Sequence, residues 1–399
     1  MNFNIKDYSL LDDIGPEEII ILKNPSINLN AVLVIDYTVN GIPAGGVRLA
    51  PDISLDEMIR LARAMSLKFC AYRLKIGGAK AGIWGDPLDI ESKNILLTGF
   101  AKAIETYVKN DIYYPGPDMG TDDHDLLKMF SVMGIPNLAP KVIGLKKHGI
   151  PVEELFTGYG VVNCLEVIYH NLNKISPIQE DINKKPKVIL EGFGKVGTAL
   201  AIALDELGFT LTGLSTIKGA IFDDDGFDIQ ELLKLKQCYG DDLVNQFESK
   251  NVLHLEKEKL FEVSKDYRTD FIIPGARPDV INKHNVDMID AIAIVPAANI
   301  PYEKGIVDTL KEKEIIAFPD FVANAGEVLA ILVNKVAKNA DEIFQFIKSK
   351  ITDKTLEVIN GANNKGITPY EFAVEDALNQ LKKKLQRKKN LLERLNKRF

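Results

Sequence analysis

One stretch constrains the fold of this chain more than any other: KVILEGFGKVGTALAIALDELG, from Lys187 to Gly208. It begins with the continuous apolar run of a strand buried on both faces and ends as an Ala- and Leu-rich helix. Between the two stands a G-x-G-x-x-G made of Gly192, Phe193, Gly194, Lys195, Val196 and Gly197. Such glycines allow a tight turn and let the backbone approach a pyrophosphate at the helix N-terminus. The stretch therefore predicts a dinucleotide-binding site.

The segments after this stretch repeat the same alternation of strand and helix. FTLTGLST, TDFIIPGA, AIAIVPAAN and IIAFPDFVANAGE are apolar runs of strand length that end in Pro, Gly, Asn or a hydroxyl residue. Apolar strands alternating with helices favour a parallel sheet covered on both faces. We predict an α/β chain with a doubly wound, Rossmann-type domain over residues 151–330. A chain of 399 residues is longer than one hydrophobic core usually stabilises. We therefore expect a separate β-rich and helical domain over 1–150, and helices over 331–399.

The predicted first domain opens with a strand and then an amphipathic helix. AVLVIDYTVNGIPAGGVRLAP contains an Asn40-Gly41 turn between two extended segments, a pattern that predicts a β-hairpin. In the next segment, SLDEMIRLARAMSLKFCAYRLK, Ser54 and Glu57 have the spacing of a capping box, and apolar residues recur at helical intervals. Lys68 would project from the edge of the apolar stripe, where a snorkelling lysine is the alternative to a functional one.

A second lysine stands among very small residues in KIGGAKAGIWGDP. Lys80 is flanked by Gly77, Gly78, Ala79, Ala81 and Gly82. A solvated lysine in a surface turn is one interpretation. The other is a lysine that a ligand approaches closely, since small neighbours leave room for it.

Charge and cysteine content exclude several classes of function. Lys and Arg number 49 against 56 Asp and Glu, a net charge of −7 that does not favour a nucleic-acid partner. Cys70, Cys164 and Cys238 lack CxxC spacing, so neither a disulfide framework nor a cysteine zinc site is expected. The five histidines are scattered, and we predict no metal. No run approaches the roughly 18 apolar residues of a membrane span, so we expect a protein of the reducing cytoplasm.

Eight motifs together resemble the glutamate/leucine/phenylalanine/valine dehydrogenase family. Between about residues 30 and 335 they occur in the order GGVR, MSLKF, GGAKAG, GPDMGT, TGYGV, GFGKVG, PAAN and DFVANAG. The resemblance implies reversible oxidation of an L-amino acid to its 2-oxo acid and ammonia with NAD or NADP. It also implies that 1–150 form a substrate-binding and oligomerisation domain, that helices of 331–399 pack back on it, and that the protein is a homo-oligomer.

The resemblance assigns roles residue by residue. Lys80 would be the catalytic lysine, lowered in pKa by partial desolvation, and Asp118 would pass protons to and from the amino group. Lys68 would bind the substrate α-carboxylate, and Gly45 and Gly46 would present backbone to the substrate. Cofactor binding would fall to the glycine loop from Gly192 to Gly197, to Ser215 and Thr216, and at the nicotinamide end to Thr157 and Asn299.

Departures from the family pattern bear on cofactor and substrate. The strand GLST ends in Thr216 where an acidic residue is usual, so the choice between NAD and NADP stays open. Glu327 replaces the second glycine of ANAGG. Glutamate-using members carry a lysine and a serine at the positions of Ala44 and Ile331, and with Val328 these two would form an apolar wall. We therefore predict a substrate with an apolar side chain.

Two alternatives remain open at this point. GAIFDDDGFD resembles glutamate dehydrogenases, which would make glutamate the substrate. A non-catalytic nicotinamide-binding sensor or assembly subunit would need the glycine loop alone. The presence of both lysines and of Asp118 argues against that second alternative.

Overall fold

The computed structural model describes residues 12–38, 41–138, 145–175, 185–333, 336–337 and 339–396, without the side chains of 389, 391, 392 and 394–396. The chain divides into two compact units. Unit 1 comprises Met1–Lys141 and Glu375–Phe399, and unit 2 comprises Val142–Val374. The mixed α/β class predicted from the sequence is confirmed.

Unit 1 contains a five-stranded mixed sheet and its helices. Its elements are β1 (Glu18–Asn24), β2 (Leu29–Ile35), β3 (Pro43–Ala50), α1 (Leu55–Ala71), β4 (Gly77–Trp84), α2 (Ile90–Lys109), β5 (Tyr114–Pro117) and α3 (Asp123–Val132). The sheet order is β1-β2-β4-β3-β5. Strand β4 runs antiparallel to β2 and parallel to β3.

The predicted hairpin of β2 and β3 is wrong. Both strands exist, but β4 lies between them and pairs with each. The segment leading into β4 is accommodated by small residues, since a Cβ at Gly41 would clash with the carbonyl of Lys75. Asn40, the other residue of the predicted turn, lies outside the described residues. A later strand has inserted where the local turn signal indicated direct pairing.

Helix α1 forms as predicted, with one difference at its N-terminus. Ser54 is the N-cap, and its Oγ accepts the Glu57 N–H at 3.1 Å. In a capping box Glu57 would return the bond to the backbone of Ser54. Here its carboxylate pairs with Arg48 of β3 instead.

Strand alternation assigns the two faces of the unit 1 sheet. One face joins the core under α2 and α3, with Val47, Leu49, Ala79, Ala81 and Ile83 all buried. The opposite face therefore carries Ala44, Gly46, Arg48 and Lys80. Helix α1 packs on this second face, so polar groups of β3, β4 and α1 are gathered there.

Unit 2 is built on a seven-stranded sheet of order β11-β10-β9-β8-β12-β13-β14. Its strands are β6 (Lys146–Lys147) and β7 (Ile150–Pro151), which pair apart from the main sheet, and β8 (Lys187–Glu191), β9 (Thr210–Thr216), β10 (Gly219–Phe222), β11 (Leu253–Leu255), β12 (Phe271–Pro274), β13 (Ala293–Ile294) and β14 (Ile316–Ala317). Its helices are α4 (Phe156–Tyr169), α5 (Leu172–Ile175), α6 (Lys195–Glu206), α7 (Ile229–Tyr239), α8 (Leu243–Gln246), α9 (Ile306–Glu312), α10 (Asp320–Ala323), α11 (Gly326–Val333) and α12 (Ala340–Lys365). A last helix, α13 (Pro369–Asn396), begins in unit 2 and ends in unit 1.

The topology of this sheet supports the predicted Rossmann-type arrangement. Strands β9, β8, β12, β13 and β14 are parallel neighbours, and β10 adds an antiparallel pair at the edge. The chain moves from β8 to β9 on one side and later to β12 on the other. The order therefore reverses beside β8, the place where open α/β sheets bind ligands at the carboxyl ends of their strands.

The unit boundaries differ from the predicted domains. We expected 331–399 to join the first domain, which would end at residue 150. Helix α12 instead belongs to unit 2, where Ile343, Ile347 and Ile351 are buried and Thr355 contacts Cys164 of α4. This apolar stripe packs against α4, so only residues from Glu375 onward join unit 1.

Among the described residues, no helix combines the length and hydropathy needed to cross a bilayer.

Candidate active site

Unit 1 contains a buried cluster of charges centred on Asp118. Lys80 Nζ lies 2.7 Å from Asp118 Oδ2, and Arg48 Nε donates to the same oxygen at 2.9 Å. The Lys80 side chain is 2% exposed and that of Asp118 14%. The cluster joins the middle of β4, the middle of β3 and the loop after β5. Two of its members are the residues to which the resemblance assigns catalysis.

The electrostatics of Asp118 follow from these neighbours. Burial alone would raise the pKa of the Asp118 carboxyl, but Lys80 and Arg48 outweigh burial and hold that pKa well below its usual range. Asp118 is therefore a carboxylate at neutral pH. The ion pair also compensates the positive charge of Lys80. This lysine is therefore buried together with a counter-charge and not, as the sequence suggested, among small neutral residues only.

Arg48 and Glu57 are site residues that the sequence reasoning missed. Arg48 is 5% exposed and bridges two carboxylates, Asp118 through Nε and Glu57 through Nη1. Glu57, on α1, holds the Arg48 guanidinium through Nη1. The Nε edge of the guanidinium is thereby turned toward Asp118. The spacing in GGVR could have identified Arg48 from the sequence. Residues two apart in a strand face the same side, so Arg48 faces the same side as Gly46.

The small residues around Lys80 have a different use from the one predicted. A Cβ at Gly78 would clash with Ser66 and with the carbonyl of Ala62, and one at Gly82 would meet Met58 Sδ at 2.9 Å. These contacts all lie on α1, so the two glycines let the helix pack directly on β4. The room beside Lys80 comes from β3, where a Cβ at Gly46 would lie 3.2 Å from Lys80 Nζ and 2.7 Å from Asp118 Cβ.

The other unit 1 candidates lie on α1 and β3, elements that also carry members of this cluster. Lys68 lies in the last turn of α1 and is 5% exposed, so it is a buried lysine on the helix that packs against β4. Ala44 is half-buried in β3 on the same sheet face as Gly46 and Lys80. Gly45 faces the other way, and its carbonyl accepts the Tyr113 hydroxyl at 2.8 Å.

In unit 2, the glycine loop has the geometry that a pyrophosphate requires. Gly192 has φ +89°, a left-handed conformation that favours glycine. A Cβ at Gly197 would clash with the carbonyl of Gly192, so the third glycine lets α6 start close to the turn. A Cβ at Gly194 would meet nothing within 4 Å among the described residues, and α6 has no side-chain cap. The uncapped N–H groups and the open space at Gly194 fit an anionic dinucleotide.

The three remaining residues of the loop differ in exposure. Phe193 is 1% exposed and its ring belongs to the core, so its backbone alone can face a ligand. The Lys195 side chain is 58% exposed and pairs with Glu154 at 3.0 Å. Val196 is half-buried in the first turn of α6.

Both hydroxyl residues at the end of β9 are used within the protein. Ser215 Oγ accepts the Gly192 N–H at 3.1 Å and so supports the glycine loop. Thr216 Oγ1 donates to the Asp241 carbonyl at 2.7 Å and accepts the Lys218 N–H at 3.1 Å. The sequence reasoning missed Asp241 because it lies 25 residues away from Thr216 along the chain.

The residues assigned to the nicotinamide end lie on connected elements of unit 2. Asn324 Nδ2 donates to Asn299 Oδ1 at 3.0 Å and to the Ala297 carbonyl at 3.1 Å. Asn324 Oδ1 is buried and has no hydrogen-bond partner among the described residues, a position that a ligand donor can fill.

Gly326 packs on the backbone of Phe156, immediately before Thr157, while Gly158 packs on Ala199 of α6. Thr157 thus lies on a helix that packs on α6, and Asn299 is linked to that helix through Asn324 and Gly326.

Helix α11 presents the predicted substrate-side residues. Ile331 is 39% exposed and Val328 is half-buried. The glycine required for packing is Gly326, since a Cβ there would clash with the Phe156 carbonyl. Glu327, the departure noted in the sequence, is half-buried and leaves this close contact intact.

Comparisons with known proteins show which family this chain resembles. Residues 149–388 match the family model described as Glutamate/Leucine/Phenylalanine/Valine dehydrogenase, and residues 23–133 match Glu/Leu/Phe/Val dehydrogenase, dimerisation domain. An NADP-specific glutamate dehydrogenase of Saccharolobus shibatae is 29% identical over 79% of this chain and 78% of its own length. An NAD-specific glutamate dehydrogenase of Staphylococcus aureus is 30% identical, with 84% and 77% covered. The fold resembles hetero-hexameric glutamate dehydrogenase from Thermus thermophilus in its Leu-bound form, with a TM-score of 0.79, 21% identity, and 92% and 89% covered.

Proposed function

Because the chain belongs to the glutamate/leucine/phenylalanine/valine dehydrogenase family, we propose that it oxidises an L-amino acid with an apolar side chain to the 2-oxo acid and ammonia. The observation that carries the chemistry is the buried Lys80–Asp118 pair at 2.7 Å. Such a pair can exchange one proton between amine and carboxylate as charge develops on a substrate. A sensor would not need this pair, so the non-catalytic alternative is not adopted.

The roles in the reaction follow from charge and position. Lys68 pairs with the substrate α-carboxylate. Lys80, in its neutral amine form, takes a proton from the water that attacks the substrate imine. Asp118 accepts a proton from the substrate ammonium and later returns one to the departing nitrogen. Before the first of these steps, Arg48 and Lys80 keep Asp118 ionised and able to accept the proton.

NAD or NADP fits the glycine loop of unit 2 and supplies the hydride acceptor when bound. Its pyrophosphate would lie on the N-terminus of α6, against the open side of Gly194. Thr157 and Asn299 would hold the nicotinamide end. The relatives include one NADP-specific and one NAD-specific enzyme, so the family accommodates both cofactors.

Substrate choice is proposed to rest on Ala44, Val328 and Ile331. None of these side chains carries a charge or a hydroxyl, whereas a γ-carboxylate buried without a counter-charge costs several kcal/mol. An aliphatic or aromatic side chain gains from contact with apolar groups, at roughly 25 cal/mol for each Å² removed from water. The names of the curated relatives favour glutamate as the second candidate. A homo-oligomer and a cytoplasmic location complete the proposal.

The proposed activity is tested with a panel of L-amino acids in the presence of NAD and of NADP. Reduced cofactor is followed by its absorbance, and ammonia release is measured in parallel. We expect at least one apolar amino acid to yield both products in equal amounts. An absence of turnover with every amino acid and both cofactors would contradict the proposal.

The first variant concerns the pH dependence of catalysis. Arg48→Gln removes one of the two cations that depress the pKa of Asp118, so that pKa should rise. Because the carboxylate is the active form in our proposal and its wild-type pKa lies well below the usual range, Arg48→Gln should show an acidic limb in kcat/KM at a pH where the wild-type profile is still flat. In Asp118→Asn this limb should be absent and turnover low. An unchanged acidic limb in folded Arg48→Gln protein would refute the assignment of the limb to Asp118.

The second variant concerns cofactor preference. Thr216 replaces the usual acid at the end of β9, and exposed Lys218 follows it, so the protein should accept NADP at least as readily as relatives that keep the acid. Lys218→Glu should lower kcat/KM for NADP and spare NAD. Lys234→Glu, an exposed lysine on α7, is the matched control. A wild-type preference for NAD above about a hundredfold, roughly 3 kcal/mol, would contradict this prediction.

A further inference from the structure

Ile300 has an unusual backbone conformation beside Asn299. Its φ is +49°, and of the described non-glycine residues with positive φ it alone is β-branched. A β-branched residue in the left-handed region is a true outlier, since its Cβ crowds the backbone. The residue before a proline is also normally extended, and Pro301 follows Ile300. Ile300 would therefore relax if the surrounding structure released it.

Asp320 holds the peptide that enters Ile300. Its Oδ2 accepts the Ile300 N–H at 2.8 Å, and the residue is 4% exposed at the start of α10. On the other side, the Ile300 carbonyl accepts the Asp279 N–H at 3.0 Å. Both polar groups of the strained residue are thus held, one by backbone and one by a buried carboxylate.

The C-cap residue of the same helix, Asn324, holds the side chain of Asn299. One turn beyond Asp320, Asn324 Nδ2 donates to Asn299 Oδ1 at 3.0 Å. A change of φ at Ile300 out of the left-handed region would reorient the chain at Asn299 and break this alignment. Strained residues that persist next to a ligand-binding group often preorganise that group.

We propose that Asp320 is a positioning residue that keeps Ile300 in the left-handed conformation and thereby places Asn299 for the nicotinamide half of the cofactor. The proposal rests on the proposed function, in which Asn299 meets that end. Asp320 itself does not touch the cofactor. Its contribution is limited to the nicotinamide half, because the glycine loop that binds the pyrophosphate is held separately by Ser215.

Calorimetry on the purified full chain can separate the two halves of the cofactor. The probes are the reduced cofactor that the protein prefers, NADH or NADPH, and its fragment without nicotinamide, ADP-ribose or 2′-phospho-ADP-ribose. Asp320→Ala should weaken binding of the reduced cofactor about tenfold while changing the Kd of the fragment less than about twofold. Ile300→Gly, which adopts positive φ without strain, should bind both probes as wild type does. Ile300→Gly with Asp320→Ala should recover most of the tenfold loss.

The outcomes separate this clamp, the hold of the Asp320 carboxylate on the Ile300 N–H, from general stability and from the proposed function. Equal weakening of both probes in Asp320→Ala, or no weakening of either, would overturn the proposal. If Asp320→Ala alone does not fold, a double variant that folds and binds as wild type supports the clamp, and one that also fails to fold overturns it. Wild-type protein that binds neither reduced cofactor would overturn the proposed function and the clamp with it.

Discussion

Lys80→Ala should remove nearly all turnover and leave the fold and cofactor binding in place. The lost amine acts in the chemical step, and loss of a general base typically lowers the rate by about 10²- to 10⁴-fold. The fold should survive because Asp118 keeps its 2.9 Å bond from Arg48, so no buried carboxylate is left alone. The measurement is kcat with saturating substrate and cofactor.

Two further readouts make this result specific. Trp84 is the only tryptophan, lies on the same strand as Lys80 and donates to the Ile53 carbonyl at 2.9 Å, so its emission reports the local fold. Binding of reduced cofactor reports unit 2 independently. Lys75→Ala, an exposed lysine five positions earlier, is the control and should retain full activity. Wild-type kcat in folded Lys80→Ala protein would overturn the role given to Lys80.

The second large effect concerns the substrate side chain. We expect glutamate to give a lower kcat/KM than at least one of leucine, valine, phenylalanine and tryptophan. The reason is the missing counter-charge, because an unpaired buried carboxylate costs several kcal/mol, about a hundredfold or more in rate. The measurement is kcat/KM for each amino acid under one set of conditions. Glutamate ahead of all four would make this protein a glutamate dehydrogenase.

An exchange variant tests the same idea in the opposite direction. Ala44→Lys with Ile331→Ser should introduce measurable glutamate oxidation, because it restores a cation in β3 and a hydroxyl in α11. Leu332→Ser is the matched control for the helix, since Leu332 is 38% exposed against 39% for Ile331. Ala44→Lys with Leu332→Ser should therefore gain less. Equal gains in the two double variants would remove Ile331 from the specificity assignment.

Local patterns predicted the parts of this protein that short-range contacts determine. The strand, glycine loop and helix from Lys187 to Gly208 were readable because each depends on residues only a few positions apart. The same holds for α1 with its Ser54 cap. The motif order in turn identified Lys68, Lys80 and Asp118 as candidates, and the structure places Lys80 against Asp118.

Only the tertiary structure decided the features that depend on distant partners. A turn signal at Gly41 could not reveal that β4 inserts between β2 and β3. Residues 331–399 read as helices from the sequence, but which unit receives the isoleucines of α12 depends on α4. Likewise, Arg48 on Asp118 and Asp320 on Ile300 are pairings across 70 and 20 residues. Periodicity and turn chemistry report a residue's own neighbourhood, whereas sheet order and the partners of buried charges are set by which distant surfaces pack together.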